Sequence, residues 1–422
     1  MQIDFLSLYE IYKLHSDVVT DTRKITSGCL FFALKGERFD GNEFAAQALE
    51  LGAAYVVVDD PEVVVDNRYL LVVDVLNAMQ KISKIHRSHF GFPVIGLTGS
   101  NGKTTTKELC AAVLSTQYKV KATYGNLNNH IGVPLTLLST RLDTELLIVE
   151  MGANHQLEID FLCSIAQPDY TMITNIGKAH LEGFGGVEGI KKGKSEMYRY
   201  AKVAEKSIFI NTDDGVLVSL LPQDAHLIPY SISDLLGLLS DTPYLVLMYG
   251  EQRIYTRLYG VYNLSNIAFA VKLGEYFGVS KANIVKALSD YQPNNNRSER
   301  IQIGANTYYK DAYNANPSSM EASLRSFMSL NEPYKIVVLG DMLELGEDTM
   351  QEHLEILDLL ADADLFHKIY VGQYFYQIKD ERYGHFFMNV EAAKVYFDSL
   401  DLSDCHILMK GSRGIALEKL LG

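Results

Sequence analysis

Val94-Ile95-Gly96-Leu97-Thr98-Gly99-Ser100-Asn101-Gly102-Lys103-Thr104-Thr105-Thr106 begins as an apolar, β-prone run and ends in residues that start a helix. Phe92-Pro93 introduces it, and the pattern predicts a strand over 94–98, a glycine-bearing turn and a helix over 103–116. A phosphate-binding turn needs that order. Glycines let the backbone curl so that several N–H groups converge, and the helix N-terminus adds partial positive charge. On this reading Gly99, Ser100, Asn101, Gly102 and Thr105 cradle phosphates, Lys103 pairs with the β- and γ-phosphates of ATP, and Thr104 ligates Mg2+. The loop is the short G-x-x-G-K-T form, because the position five residues before Gly102 is Leu97. A glycine-rich turn with a chance lysine is the bland alternative. Strand, loop, Lys-Thr and helix falling in register weigh against it.

Strands and helices alternate after this turn. Residues 145–150, 170–174 and 207–211 are nearly continuous apolar runs, which suits a parallel sheet covered on both faces. Residues 263–277 and 281–291 read as helices closing this region. In a parallel sheet, ligands bind where the strands end. Glu150, ending 145–150, and His180, following 170–174, are therefore expected beside the phosphate turn, as a carboxylate and an imidazole able to hold Mg2+. Taken singly, Glu150 reads as a surface carboxylate and His180 as a capped or core histidine. The basic run 189–196 reads, on charge alone, as a solvated helix face.

The flanks differ in pattern. Residues 1–84 hold short apolar runs at 29–34, 54–58 and 69–73 and a helix-like stretch at 42–51, which makes a small α/β unit. Gln292-Pro293-Asn294-Asn295-Asn296 is the expected hinge. Beyond it, 335–339, 368–371 and 406–409 read as strands separated by helices, a second doubly wound unit. The expected fold class is α/β in three domains, 1–84, 85–293 and 294–422. A chain of 422 residues is too long for one core, which agrees.

Bulk properties narrow the function. A net charge of −14 argues against nucleic acid as the partner, although a nest of backbone amides can hold phosphate on an acidic protein. No apolar run approaches a membrane span, and Met1-Gln2-Ile3-Asp4 starts no export signal. Cys29, Cys110, Cys163 and Cys405 are scattered, as expected of reduced thiols in the cytoplasm. A kinase that phosphorylates a hydroxyl and a non-catalytic nucleotide module remain as rivals to a ligase.

Several runs together carry a resemblance: 98–106, 125–138 (GNLNNHIGVPLTLL), 150–155 and 175–185, then Asp311-Ala312-Tyr313-Asn314-Ala315-Asn316-Pro317, Gly340-Asp341-Met342-Leu343-Glu344-Leu345-Gly346-Glu347 and Lys410-Gly411-Ser412-Arg413, with Asp21-Thr22-Arg23 and 30–41 near the start. The chain resembles the Mur ligases of peptidoglycan synthesis over nearly its whole length. The resemblance implies an N-terminal domain holding a UDP-sugar, a central ATPase domain and a C-terminal Rossmann-like domain. It implies ligation of D-alanyl-D-alanine to UDP-N-acetylmuramoyl-tripeptide through an acyl phosphate, with formation of ADP, by a monomer that is not membrane-embedded. Addition of a single amino acid, as third peptide residue or as glutamate to folate, is the alternative.

The site residues follow from the same resemblance. Thr22, Arg23, Lys35, Gly36, Asp40 and Gly41 would lie near the uridine diphosphate, and Asn126, Asn128 and Asn129 on the acceptor-peptide side. Lys410, Ser412 and Arg413 would hold the carboxylate of the incoming dipeptide. Asn263, with Asn266, would face the adenine, Arg297 the ATP phosphates, and Asp311 and Asn314 the ribose and phosphates, although 311–317 by itself reads as a turn. Tyr262 stands where the family usually has His. Lys194 would be carbamylated and, with Thr104, Glu150 and His180, would hold two Mg2+ ions. The family has Ala-Lys where this chain has Gly193-Lys194, so Lys192 stays a competitor. Lys103, Lys194, His180 and Arg297 are the expected catalytic set. Closure about 292–297 would bring Asp311 and Asn314 onto the nucleotide.

Overall fold

Strand Val94–Thr98 lies inside a six-stranded sheet in the computed structural model, which describes residues 2–293 and 297–421. The order across the sheet is His226–Tyr230, Ser207–Asn211, Tyr170–Ile173, Val94–Thr98, Leu146–Glu150, Val120–Ala122, and every neighbouring pair is parallel. All residues of Val94–Thr98 and Leu146–Glu150 are buried, which is why both runs are apolar up to the Thr98 and Glu150 that end them. Alternate side chains go to opposite faces. Ile95, Leu97, Leu146 and Ile148 meet helices Lys103–Leu114 and Leu264–Tyr276, whereas Val94, Leu147 and Val149 meet helix Glu158–Ala166. An antiparallel sheet of Gly237–Ser240, Val246–Tyr249 and Gln252–Tyr255 extends this unit.

Two further sheets flank it. Near the N-terminus, Val18–Val19, Leu30–Phe32, Tyr55–Val58 and Tyr69–Leu71 form a parallel sheet. Toward the C-terminus the order is Glu299–Ile303, Asn306–Lys310, His406–Lys410, Lys335–Gly340, His367–Val371, His385–Phe387, with only the first pair antiparallel. The fold class is α/β, as expected. One apolar cluster runs from the central unit (Leu181, Phe184) into the C-terminal one (Met320, Leu324, Leu339), so the two units share a core.

Local differences have physical causes. The stretch expected as a helix over 42–51 is a 3-10 turn, Gly41–Phe44, followed by helix Ala45–Glu50. A Cβ on Gly41 would lie 2.4 Å from the Leu34 carbonyl oxygen, so the chain there is pressed against its own strand. Helix Val75–Arg87 runs across residues 84 and 85, and the Arg87 guanidinium donates to Ala166 O (2.8 Å) and Asp169 Oδ2 (2.9 Å) of the central unit. Asn294, Asn295 and Asn296 of the expected hinge lie outside the described residues. Among the described residues no helix is long and apolar enough to cross a membrane. All four cysteines are free and buried.

Candidate active site

The turn after strand Val94–Thr98, expected to bind phosphate, owes its shape to two glycines. Gly99 has φ +143° and Gly102, at the start of helix Lys103–Leu114, φ +78°. A Cβ on Gly99 would lie 2.0 Å from Thr174 Oγ1, and one on Gly102 2.5 Å from Asn266 Oδ1. The neighbouring strand end holds the turn in place. Ser100 N–H donates to Asn175 O (3.0 Å), Asn101 N–H to Asn175 Oδ1 (3.0 Å), and the Thr174 hydroxyl to Asn101 O (2.6 Å). The Lys103 ammonium folds back onto the carbonyls of Gly99 (2.7 Å) and Ser100 (3.0 Å). Withdrawal from water lowers its pKa to about 8; Glu150 opposes that shift and Arg297 adds to it.

Glu150 sits one strand over, only 1% exposed. Its Oε1 accepts from Thr104 Oγ1 (3.1 Å) and Asn128 Nδ2 (2.8 Å). Its Oε2 lies 3.3 Å from Lys107 Nζ but makes no hydrogen bond. Asn128, expected on the peptide side, is thus also a partner of Glu150. Lys107 was not singled out in the sequence, yet it stands four residues after Lys103 and so on the same helix face.

His180 takes a left-handed backbone (φ +56°), and its Nδ1 pairs with the Glu344 carboxylate of the C-terminal unit. That bond holds the Glu344 carboxyl below its ordinary range. Glu150 and His180 belong to no cluster of three or more His, Cys, Asp or Glu able to hold a metal among the described residues.

Lys194 corrects the solvated-face reading of 189–196. Helix Val187–Lys194 buries Gly189, Ile190, Gly193 and Lys194, and leaves Lys192 exposed. A Cβ on Gly193 would lie 2.4 Å from the Phe184 ring, so glycine admits that ring, and Lys194 Nζ lies 5.0 Å from its centroid. The amine donates to Ala153 O (3.1 Å). Burial, reinforced by the Lys103 charge, drives its pKa well below the usual range.

One cavity of about 780 Å³ gathers most of these groups. Ser100, Asn101, Gly102, Lys103, Thr104, Thr105, Glu150, His180, Asn126, Asn128, Asn129, Asn263, Arg297, Asp311, Asn314 and Lys410 line it. Lys194 does not; it stands directly behind Ala153, which does. The Asn263 amide is fully buried and donates to Tyr259 O (2.9 Å) and Ser298 Oγ (3.1 Å). Asn129 Oδ1 caps helix Gly132–Leu138 through the N–H groups of Ile131 and Gly132. Lys410 is buried and bridges Asp311 Oδ2 at 2.5 Å, so its charge is already answered.

Two expectations change. Ser412 is buried away from the cavity, where its hydroxyl accepts from Leu343 N–H (3.0 Å) and serves the loop itself. Arg413 is exposed and outside the cavity lining. The six N-terminal candidates also lie elsewhere. Arg23 pairs with Asp21 (2.7 Å), Lys35 with Asp59 (3.0 Å) and Asp40 (3.6 Å), and none of Thr22, Arg23, Lys35, Gly36, Asp40 or Gly41 lines this cavity. Sequence reading missed Asn316, which donates to Asn101 Oδ1 (2.8 Å), and Ser318, which accepts from Lys178 N–H (2.8 Å), both from the C-terminal unit. Asn316-Pro317-Ser318-Ser319 is a helix-start signal, and the helix it opens, Pro317–Met328, points its N-terminus at the turn.

Family models match three successive stretches: the Mur ligase family catalytic domain over residues 16–87, the Mur ligase middle domain over 97–274, and the Mur ligase glutamate ligase domain over 296–397. The chain belongs to the Mur ligase family. This Mur ligase is 35% identical to the UDP-N-acetylmuramoyl-tripeptide–D-alanyl-D-alanine ligase of Bacillus subtilis (strain 168), covering 98% of this chain and 93% of that one. The ligase of the same name from Escherichia coli (strain K12) is 33% identical, with 96% and 92% covered. Among solved structures, a crystal structure of MurF from Acinetobacter baumannii superposes with a TM-score of 0.83 at 33% identity, covering 96% and 92%. The MurF ligase of Thermotoga maritima in complex with ADP gives 0.83 at 26% identity, with 96% of both chains covered.

Proposed function

We propose that this Mur ligase joins D-alanyl-D-alanine to UDP-N-acetylmuramoyl-tripeptide, converting ATP to ADP and phosphate. One observation carries the reading. The phosphate turn, Glu150, His180, the asparagines 126–129 and the 311–316 segment all face a single cavity between two units, as a reaction of nucleotide, carboxylate and amine requires. The names of the full-length relatives supply the substrates.

The terminal carboxylate of the tripeptide attacks the γ-phosphorus, forming an acyl phosphate and releasing ADP. The amine of the dipeptide then attacks the acyl carbon, the amide bond forms, phosphate leaves, and the amine gives up a proton. The first step needs positioning and charge neutralisation more than covalent help, and Lys103 and Arg297 supply cations at the cavity wall. Thr104 and Glu150 offer hard oxygen donors, one of them the buried Oε2 without a hydrogen bond, and these suit Mg2+. When bound, Mg2+ neutralises phosphate charge. His180 and a carbamate on Lys194 are the proposed donors for a second ion. Burial lowers the Lys194 pKa and so favours the neutral amine, the form that attacks CO2: the N–C bond forms and the amine loses a proton.

Thr22, Arg23, Lys35, Gly36, Asp40 and Gly41 are the proposed uridine diphosphate contacts. In this reading the chain acts as three domains, the first ending with helix Val75–Arg87 and the other two dividing near residue 293, and apposition of the last two excludes water from the acyl phosphate. The enzyme works as a monomer in the cytoplasm.

Phosphate release tests the reading. It is expected to require UDP-N-acetylmuramoyl-tripeptide and D-alanyl-D-alanine together. Equal release with a single amino acid, or phosphate transfer to a hydroxyl acceptor, would refute it.

A further inference from the structure

Arg297 and Arg413 share one aromatic ring. The Arg297 guanidinium carbon lies 3.7 Å from the centroid of Tyr313, and that of Arg413 lies 5.3 Å from it. The topology brings two of the three together. Strands Asn306–Lys310 and His406–Lys410 are parallel neighbours, with Lys310 opposite Met409, so Tyr313 and Arg413 each follow a strand end on the same edge. Tyr313 and Arg297 both line the cavity, and Tyr313 is half-buried.

Among the described residues neither guanidinium has a carboxylate within 4.0 Å, although Asp311 in the same segment is paired with Lys410. A carboxylate partner would fix an arginine but neutralise it and occupy its N–H edge. An aromatic face fixes the guanidinium plane and leaves charge and donors free for an anion. Two like charges on one ring also repel, so the arrangement favours an anionic ligand beside them.

We propose that Tyr313 is a positioning residue whose ring face holds Arg297 toward the nucleotide phosphates and carries Arg413 beside it. This rests on the proposed ligase reading for the identity of the anion. The ring, not the hydroxyl, does the positioning.

Tyr313→Leu and Tyr313→Phe are compared with wild type. ATP and ADP affinities are read by calorimetry without either acceptor, and KM for ATP is read in the full reaction. Tyr313→Leu is expected to weaken nucleotide binding and raise KM for ATP about tenfold, with an unchanged circular dichroism spectrum, whereas Tyr313→Phe restores both. Nucleotide affinity within twofold of wild type in Tyr313→Leu overturns the proposal, as does an equal loss in Tyr313→Phe. A wild-type enzyme indifferent to D-alanyl-D-alanine would refute the substrate reading, and the binding comparison would still decide the role of Tyr313.

Discussion

Lys103 and Glu150 are where single side chains decide the outcome. Lys103→Ala removes the cation closest to the phosphate turn. Its ligation rate is expected to fall by about 10²–10³-fold or more, with the circular dichroism spectrum unchanged, since its ammonium bonds only to loop carbonyls. Near-normal turnover would exclude the turn as the phosphate site. Lys107→Met removes the cation paired with the buried Glu150 carboxylate and is expected to cost about 3–5 kcal/mol in urea unfolding. A midpoint equal to wild type would show that the pair contributes nothing. At this scale, motif residues were legible and their partners were not. Gly99–Thr105 lie in one continuous signature, whereas Lys107, Asn175 and Glu344 acquire meaning only when strands and units come together. Charge alone misled over 189–196 for a related reason: a run of lysines looks solvated until the helix shows that Lys194 turns inward.

The strand and helix that frame the turn make the next scale testable. Leu97 is fully buried in the middle of strand Val94–Thr98, so Leu97→Ala is expected to destabilise by about 2–5 kcal/mol in denaturant unfolding. Gly99→Ala is expected to lose nucleotide binding, because its φ of +143° and the 2.0 Å approach to Thr174 leave no room for a methyl. Wild-type ADP affinity in that variant would show that the turn can adopt another shape. The strands legible in sequence were those buried on both faces, such as 146–150 and 207–211. His226–Tyr230 and Gly237–Ser240 are mostly exposed, so no apolar pattern marked them. Helix ends moved where a 3-10 turn precedes the helix, as at Val261–Asn263.

Across the whole molecule the units are bound by polar contacts as well as by the shared core. Lys178 meets Glu352 at 2.6 Å, and His180 meets Glu344. Burial lowers the pKa of four histidines, His86, His353, His367 and His406. The ring nitrogens of His86 face Tyr9 OH and Thr140 O, and the ring of His353, the most deeply buried, accepts from Met342 N–H and faces Thr349 O. Unfolding frees them to protonate near their ordinary value, so below pH ~6.5 the unfolded chain binds more protons and stability declines as pH falls. Melting temperature is expected to drop between pH ~7 and ~5, and to drop less in His353→Gln measured against its own value at pH ~7. An identical decline in that variant would assign the effect elsewhere. The division into α/β units was readable from alternating runs, but how the units meet was not, because those contacts join residues far apart in sequence. The central claim is that a carboxylate is activated by phosphoryl transfer inside the shared cavity. Oxygen-18 placed in the terminal carboxylate of the tripeptide tests it most directly. After ligation with D-alanyl-D-alanine, mass spectrometry is expected to find a labelled oxygen in the released phosphate; phosphate free of label would contradict the account.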